Sequence, residues 1–382
     1  MTGCYAKRVS MPNVIFPSCP TGLSTDEHTV AKLLKAQGYA TMCIGKWHLG
    51  DQPEFLPTRH GFDHYFGLPY SNDMGGGEER DPKKGQRPPL PLVRDETVIE
   101  APAVQDTLTA RYTEEAVKFI TENKAQSFFL YLPHTAVHVP LHPGSNFRGK
   151  SANGTYGDWV EELDWSAGKI LDTLRELGLS SNTLVLFTSD NGPWLSQGKN
   201  GGVAGPLSGG KGSTWEGGMR EPTLAWWPGR VPAGSECAAT MANIDILPTF
   251  VKLAGGLTPT DRVIDGKDIS PLLFGQSKES PHETLFYFNG ETLKAVRCGP
   301  WKLARPENPQ AKKAAPQANA PHLYNLEDDI GESKDVAAEH PDVVQRLEAC
   351  IAKMDADLGE RQKGPGVRPP GRVQAPKPLT KQ

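Results

Sequence analysis

Apolar positions recur at helical spacing in three stretches of the chain, and each stretch hands over to a short apolar run. In DEHTVAKLLKAQG, Val30, Leu33 and Leu34 share one face, and Gly38 stands where a glycine ends a helix. YATMCI follows as a strand. TLTARYTEEAVKFITEN predicts a second helix and SFFLYL a buried strand. WVEELDWSAGKILDTLRELG sets Val160, Leu163, Ala167, Ile170, Leu171, Leu174 and Leu177 at the period of a long third helix, which leads into the strand TLVLFTS. A polar cluster follows each strand at once: GKWHLG, then PHTAVHVP, then SDNGP. Such alternation predicts an α/β fold, a mixed and mostly parallel sheet sandwiched by helices. Ligands of such sheets lie beyond the carboxyl ends of the strands, so clusters far apart in sequence can converge on one site.

From about residue 276 the pattern changes. TLFYFNGETLKAVRCGPWKLA predicts short antiparallel strands that turn at Asn289 with Gly290 and at Gly299 with Pro300, and HPDVVQRLEACIAKMDADL predicts a closing helix. The expected organisation is a large α/β domain over 1–275, a smaller α+β domain over 276–360, and a tail over 361–382. The tail's basic, Pro-rich composition predicts disorder.

Charge narrows the partners. The 382 residues carry a net charge of −4 with acids and bases intermixed, so no general attraction to nucleic acid or anionic membrane is expected. No apolar run approaches the ~20 residues of a membrane span, and MTGCYAKRVSMPN lacks the apolar core of a signal peptide. The six cysteines are scattered without a C-x-x-C pair, which points to neither a zinc site nor a redox motif.

Several clusters could carry chemistry. Asp190 and Asn191 in SDNGP offer two oxygen ligands for a hard cation, although the same residues make a plain turn equally well. Lys46 and His48 stand two apart, so an extended segment would aim both to one side and Trp47 to the core; an exposed Lys and His flanking a buried Trp is the blander reading. His134, His138 and His142 fall four apart, but Pro133, Pro140 and Pro143 exclude the helix that would align them on zinc. A single histidine after a strand is a candidate general acid or base. GPLSGGKGS at 205–213 comes within one residue of a phosphate-binding loop, with Gly212 where a hydroxyl is needed, and its flanks supply neither the strand nor the helix of such a loop. Lys211 is left there without a nucleotide to bind.

Taken in order, GKWHLG, the histidine of HVP, SDNGP and GKGSTWEGGMREP resemble the sulfatase family, in particular its arylsulfatase A-like members. HGFDHYFGLPYSND, VEELDWSAGKILDTL, EPTLAWWPGRVPAG, NIDILPTF, AVRCGPWKLA and LYNLEDDIGE extend the likeness to about residue 350. The resemblance implies an alkaline-phosphatase-like fold and a sulfuric ester hydrolase acting on a small-molecule or glycan sulfate ester. It implies that Lys46 and Lys211 hold sulfate oxygens with Ser71 as a lesser contact, and that His138 protonates the departing alcohol. His48 would assist the nucleophile, and Asp190 and Asn191 would form half of a Ca²⁺ or Mg²⁺ site. The family's nucleophile is a formylglycine made from the cysteine of C-x-P-S-R, and its other metal ligands are two aspartates on the first strand. Neither occurs here: by the resemblance Cys4 in TGCYAKR stands where the family's chain has already passed the nucleophile, and Cys19 in SCPTG has the wrong neighbours.

The expectation is therefore a chain that begins downstream of the first strand and the nucleophile, as a fragment, from a misassigned start, or from a truncated gene. Such a chain is expected to be inactive as given. A sulfate- or sulfated-glycan-binding pseudoenzyme and a phosphate or phosphonate ester hydrolase of the same fold remain as alternatives. The family resemblance further suggests a periplasmic, secreted or lysosomal location.

Overall fold

The computed structural model describes residues 1–76, 87–305, 320–360 and 362–380. In chain order the elements are β1 (Thr21–Gly22), α1 (Val30–Ala36), β2 (Ala40–Ile44), β3 (His64–Gly67), β4 (Leu92–Arg94), β5 (Thr97–Glu100), α2 (Leu108–Glu122), β6 (Phe128–Tyr131) and α3 (Gly154–Glu176). There follow β7 (Val185–Thr188), α4 (Glu216–Met219), β8 (Thr223–Trp226), α5 (Ile246–Leu253), α6 (Ser270–Leu273), β9 (Leu285–Asn289), β10 (Thr292–Cys298), β11 (Trp301–Ala304), β12 (His322–Asn325), α7 (Pro341–Leu358) and β13 (Gly371–Arg372).

The first helix is shorter than its periodic stretch because Thr29 caps it: the Thr29 hydroxyl accepts the Lys32 amide at 3.1 Å and donates to the His60 carbonyl. Val30, Ala31 and Leu34 then face the core. The central sheet runs β5-β4-β3-β2-β6, with β2 parallel to both β3 and β6 and the β3–β4 and β4–β5 pairings antiparallel. One apolar layer joins α1 and α5 to one side of this sheet through Val30, Leu34, Trp47, Phe62, Leu247 and Val251. The other joins α2 to Met42, Ile44 and Phe66, with Ile170 of α3 at its margin. The architecture is thus the expected α/β sandwich, with one difference. TLVLFTS is a strand, but β7 hydrogen-bonds only to β8, as an antiparallel pair apart from the central sheet. Phe187 and Leu224 on that pair are 45% and 69% exposed.

The face that α3 buries is wider than its apolar stripe. Trp159, Glu162 and Ser166 are buried together with Leu174 of the stripe, whereas Val160 is 41% exposed. Hydrogen bonding explains the added polar positions, since buried polar groups are tolerated when partnered. Glu162 accepts the Gly144 amide at 2.8 Å, Ser166 meets Thr113 at 2.7 Å, and Asp158 accepts the amides of Gly149, Lys150 and Ser151.

The C-terminal sheet is antiparallel, in the order β12-β11-β10-β9, and α7 closes over it with Val343, Leu347 and Ile351 against Leu293, Val296, Leu303 and Leu323. Both predicted turns are present, with Gly290 and Gly299 at φ +57° and +56°.

The predicted disorder of the tail is corrected. Positions 361, 381 and 382 lie outside the described residues, but 362–380 forms a strap. Its β13 pairs with β1, Arg368 donates to both oxygens of the buried Glu27 at 2.7 and 2.9 Å, and Gln52 exchanges two hydrogen bonds with the Lys377 backbone. Composition reports how little the tail can bury by itself. It does not report the carboxylate and strand edge that the rest of the chain holds ready for it.

Candidate functional site

The segment after β2 is woven between the loops that follow β3 and β6. Gly45 N–H donates to the Phe66 carbonyl, Lys46 N–H to Pro133, Trp47 N–H to Leu68 and His48 N–H to Pro69, all between 2.7 and 3.1 Å. The approach is so close that a Cβ on Gly67 would fall 1.8 Å from the Gly45 carbonyl oxygen. Trp47 is buried and its indole N–H donates to the Phe55 carbonyl at 2.8 Å. This anchor leaves Lys46 and His48 half-buried on the outer side. His48 has φ +60°, so the segment turns through a left-handed kink there and does not follow the extended path that the spacing of Lys46 and His48 suggested.

His138 lies in the loop after β6. Its Nδ1 donates to the Val139 carbonyl at 2.7 Å, which leaves Nε2 as the ring's free nitrogen, and the Ser71 hydroxyl stands 3.5 Å from Nδ1. The ring centroid is 5.5 Å from that of Trp194, and the Lys211 ammonium sits 5.0 Å from the same indole. Lys211 N–H donates to the Pro193 carbonyl at 2.9 Å, which ties the glycine-rich loop to the turn after Asp190 and Asn191. That amide is therefore committed to the protein, unlike the free amides of a phosphate-binding loop.

Charge couples these side chains. Burial and then the Lys46 charge hold His48 down to about 4, with His138 adding a smaller push in the same direction. His138 is lowered by burial and next by Lys211, and Lys211 is lowered by burial and next by Lys46. Asp73 pulls all three groups the other way. His138 and Lys211 both lie beside the Trp194 indole, and the Lys46 charge acts on Lys211 and on His48, a balance of positive charge that an anion would relieve.

Asp190 and Asn191 border this spot at the end of β7. Asp190 acts on Lys211 and on Glu221, whose carboxyl is raised to about 7 by burial and then by the Asp190 charge. Asn191 spends its amide N–H on the Gly192 carbonyl at 2.9 Å, so its side-chain oxygen remains an acceptor. Among the described residues no three His, Cys, Asp or Glu side chains gather as a metal-holding group. One exposed carboxylate and one amide oxygen do not fit a resident hard dication, which takes six or more oxygens.

Residues 1–257 match the family model described as Sulfatase, and residues 280–369 match the C-terminal region of aryl-sulfatase. The chain belongs to the sulfatase family. It is 43% identical over 294 residues to the N-acetylgalactosamine-6-sulfatase of Canis lupus familiaris, covering 74% of this chain and 55% of that protein. It is 37% identical over 412 residues to the arylsulfatase A of Bos taurus, covering 97% and 80%. Among solved structures, the PsFucS1 sulfatase from Pseudoalteromonas sp. superposes with a TM-score of 0.81 at 26% identity over 93% of this chain and 79% of that one. The chain thus spans little more than half the length of the N-acetylgalactosamine-6-sulfatase it matches. Sulfatases generally use a metal ion and a formylglycine. No helix among the described residues is long and apolar enough to cross a membrane.

Three residues beside these side chains escaped the sequence reading. Asp73 lies two positions after Ser71 in PYSND, Trp194 completes DNGPW, and Glu221 sits in REP. Only their adjacency to motif residues signalled them. Cys4 is buried and raised, first by burial, with its thiol against the Thr2 and Val263 carbonyls, and Cys19 meets the Thr21 hydroxyl at 3.1 Å. Both thiols are engaged in local structure.

Proposed function

We propose that this chain carries the sulfate-binding and proton-transfer half of a sulfuric ester hydrolase, and that its ligand is a sulfate ester of a sugar or other small alcohol. The observation that carries the reading is the placement of His138 and Lys211 beside the same Trp194 indole, at 5.5 and 5.0 Å, with the Ser71 hydroxyl 3.5 Å from His138 and the Lys46 charge acting on Lys211 and His48. In this reading Lys46 and Lys211 hold sulfate oxygens as fixed cations where negative charge develops, with Ser71 at the rim. His138 keeps Nδ1 on the Val139 carbonyl, so its Nε2 is the atom that carries a proton to the departing oxygen. A bound anion favours the protonated ring and so opposes the lowering by burial and Lys211. His48 keeps Nε2 on the Ile15 carbonyl at 3.0 Å, which leaves Nδ1 to accept a proton. Asp190 and Asn191 alone do not hold a Ca²⁺ or Mg²⁺ ion and would serve as two of its ligands only beside further carboxylates. A relative named N-acetylgalactosamine-6-sulfatase and one named arylsulfatase A support sulfate esters of a sugar and of an aryl alcohol as the substrate class.

Neither lysine nor His138 can replace a formylglycine in attacking sulfur, so the reading is tested on this chain together with the family's nucleophile segment. Joined to a segment that carries the aspartate pair and C-x-P-S-R, and matured by the cysteine-oxidising enzyme, it should hydrolyse aryl sulfates. His138→Ala should then slow esters with poor leaving groups far more than those with good ones, because only a basic oxygen needs the proton. Equal losses across the leaving-group series remove His138 from this role. Faster cleavage of phosphate monoesters than of sulfates overturns the sulfatase reading.

A further inference from the structure

The loop that carries Lys211 is held from two sides. Its own domain grips it through Lys211 N–H on Pro193 and Gly217 N–H on Ser208. The C-terminal sheet grips it as well. The Ser208 hydroxyl donates to the Gly331 carbonyl at 2.5 Å, Asn289 donates to the Gly212 carbonyl at 2.9 Å, and Trp215 packs on Tyr324 at 5.7 Å. At the centre of this contact lies Lys302 of β11, which is 1% exposed. Its ammonium donates to the Thr214 carbonyl at 2.8 Å and to Glu216 Oε1 at 3.0 Å, stands 2.7 Å from Glu332 Oε1, and lies 4.4 Å from the Tyr287 ring centroid. Glu332 Oε2 accepts the Glu216 amide at 2.6 Å, and Arg297 reaches Glu216 Oε2 at 3.3 Å. Two cations and two carboxylates balance in a buried interface.

Glu332 is held at φ +53°, a conformation that a non-glycine residue keeps only when its surroundings impose it. A buried ion cluster is weak evidence of stabilisation, and its best-attested use is to fix a register. Here it fixes the backbone at 214 and 216, three and five residues beyond Lys211.

We propose that Lys302, with Glu332 and Glu216, is a positioning residue for Lys211, so that the C-terminal sheet sets where the second sulfate-holding cation stands. The proposal rests on the reading of Lys211 as an anion ligand. Replacing the ammonium of Lys302 frees the Thr214 carbonyl and leaves two buried carboxylates in repulsion, and the loop relaxes away from the C-terminal sheet. Lys211 then leaves His138 and Lys46.

The experiment uses the full chain with Lys302→Met, Glu332→Gln and the conservative Lys302→Arg, each checked for folding by circular dichroism. The His138 ring is titrated by NMR and the affinity for inorganic sulfate is measured by calorimetry. Lys302→Met and Glu332→Gln should move the His138 midpoint upward, as Lys211→Ala does, because the cation that lowers it has withdrawn. Sulfate affinity should fall at least tenfold, and Lys302→Arg should restore part of both. Should Lys302→Met fail to fold, Glu332→Gln and Asn289→Ala carry the same expectation. Folded variants with an unmoved His138 midpoint and native sulfate affinity overturn the proposal. A native chain that binds no sulfate overturns the sulfate reading instead, and the His138 titration alone then decides whether Lys302 positions Lys211.

Discussion

His60 offers a test of how the core beneath the site responds to acid. The residue is 0% exposed, neither ring nitrogen has a hydrogen-bond partner, and the ring lies 5.5 Å from Trp47, the anchor between Lys46 and His48. Burial, and then the Lys32 charge, hold its pKa down to about 4 from the usual 6.5. A histidine lowered in the folded state binds fewer protons there than in the unfolded chain. Its contribution to stability is complete above 6.5 and is lost as pH falls from 6.5 toward 4. Taking 6.5 and about 4 as the two values, acidification from pH 7 to pH 5 costs roughly 2 kcal/mol at this one position. Urea unfolding of the native chain and of His60→Leu at both pH values measures it. The native chain should lose roughly 2 kcal/mol more than the variant between pH 7 and pH 5. Equal losses in the two proteins would refute a buried neutral His60. The effect should reach function too, since a charged ring under Trp47 disturbs the anchor of Lys46 and His48.

Two further outcomes are expected. With Asp190 and Asn191 as its donors, the chain should bind Ca²⁺ or Mg²⁺ no tighter than about the millimolar range of open, weakly charged sites; micromolar binding by calorimetry would show a fuller ligand set. Arg368→Ala should destabilise the chain by roughly 3 kcal/mol in chemical denaturation, because it leaves the buried Glu27 carboxylate with only Arg262 at 3.7 Å. A loss within experimental error would mean that the strap is not seated on Glu27.

What could be read from the sequence is what local chemistry dictates. The glycine that ends α1, the β9–β10 and β10–β11 turns, and polar clusters after strands all depend on neighbouring residues, and all appear where expected. The expectation that Lys46, His48, His138 and Lys211 serve one site came from a general property of parallel sheets together with the family likeness. Three features were not legible, and each depends on distant partners. The buried face of α3 is decided by the Gly144 and Thr113 groups that Glu162 and Ser166 meet, so the apolar stripe through Val160 misled. The tail's order depends on Glu27, some 340 residues away. Lys302 reads as an ordinary strand lysine, and only the arrival of Glu216 and Glu332 turns it into the hub of an interface.

The central claim is that Lys46 and Lys211 together hold a sulfate group beside His138. The most direct test is calorimetric titration of inorganic sulfate into the chain at low ionic strength, repeated with Lys46→Ala, Lys211→Ala and the exposed Lys169→Ala as a control. Each site substitution should weaken binding by about 10- to 100-fold, the loss of one hydrogen bond to a charged group. The control should bind as the native chain does, and native affinity should rise as pH falls, because the anion favours protonated His138. Sulfate binding that survives both site substitutions, or that the native chain lacks altogether, would contradict the account.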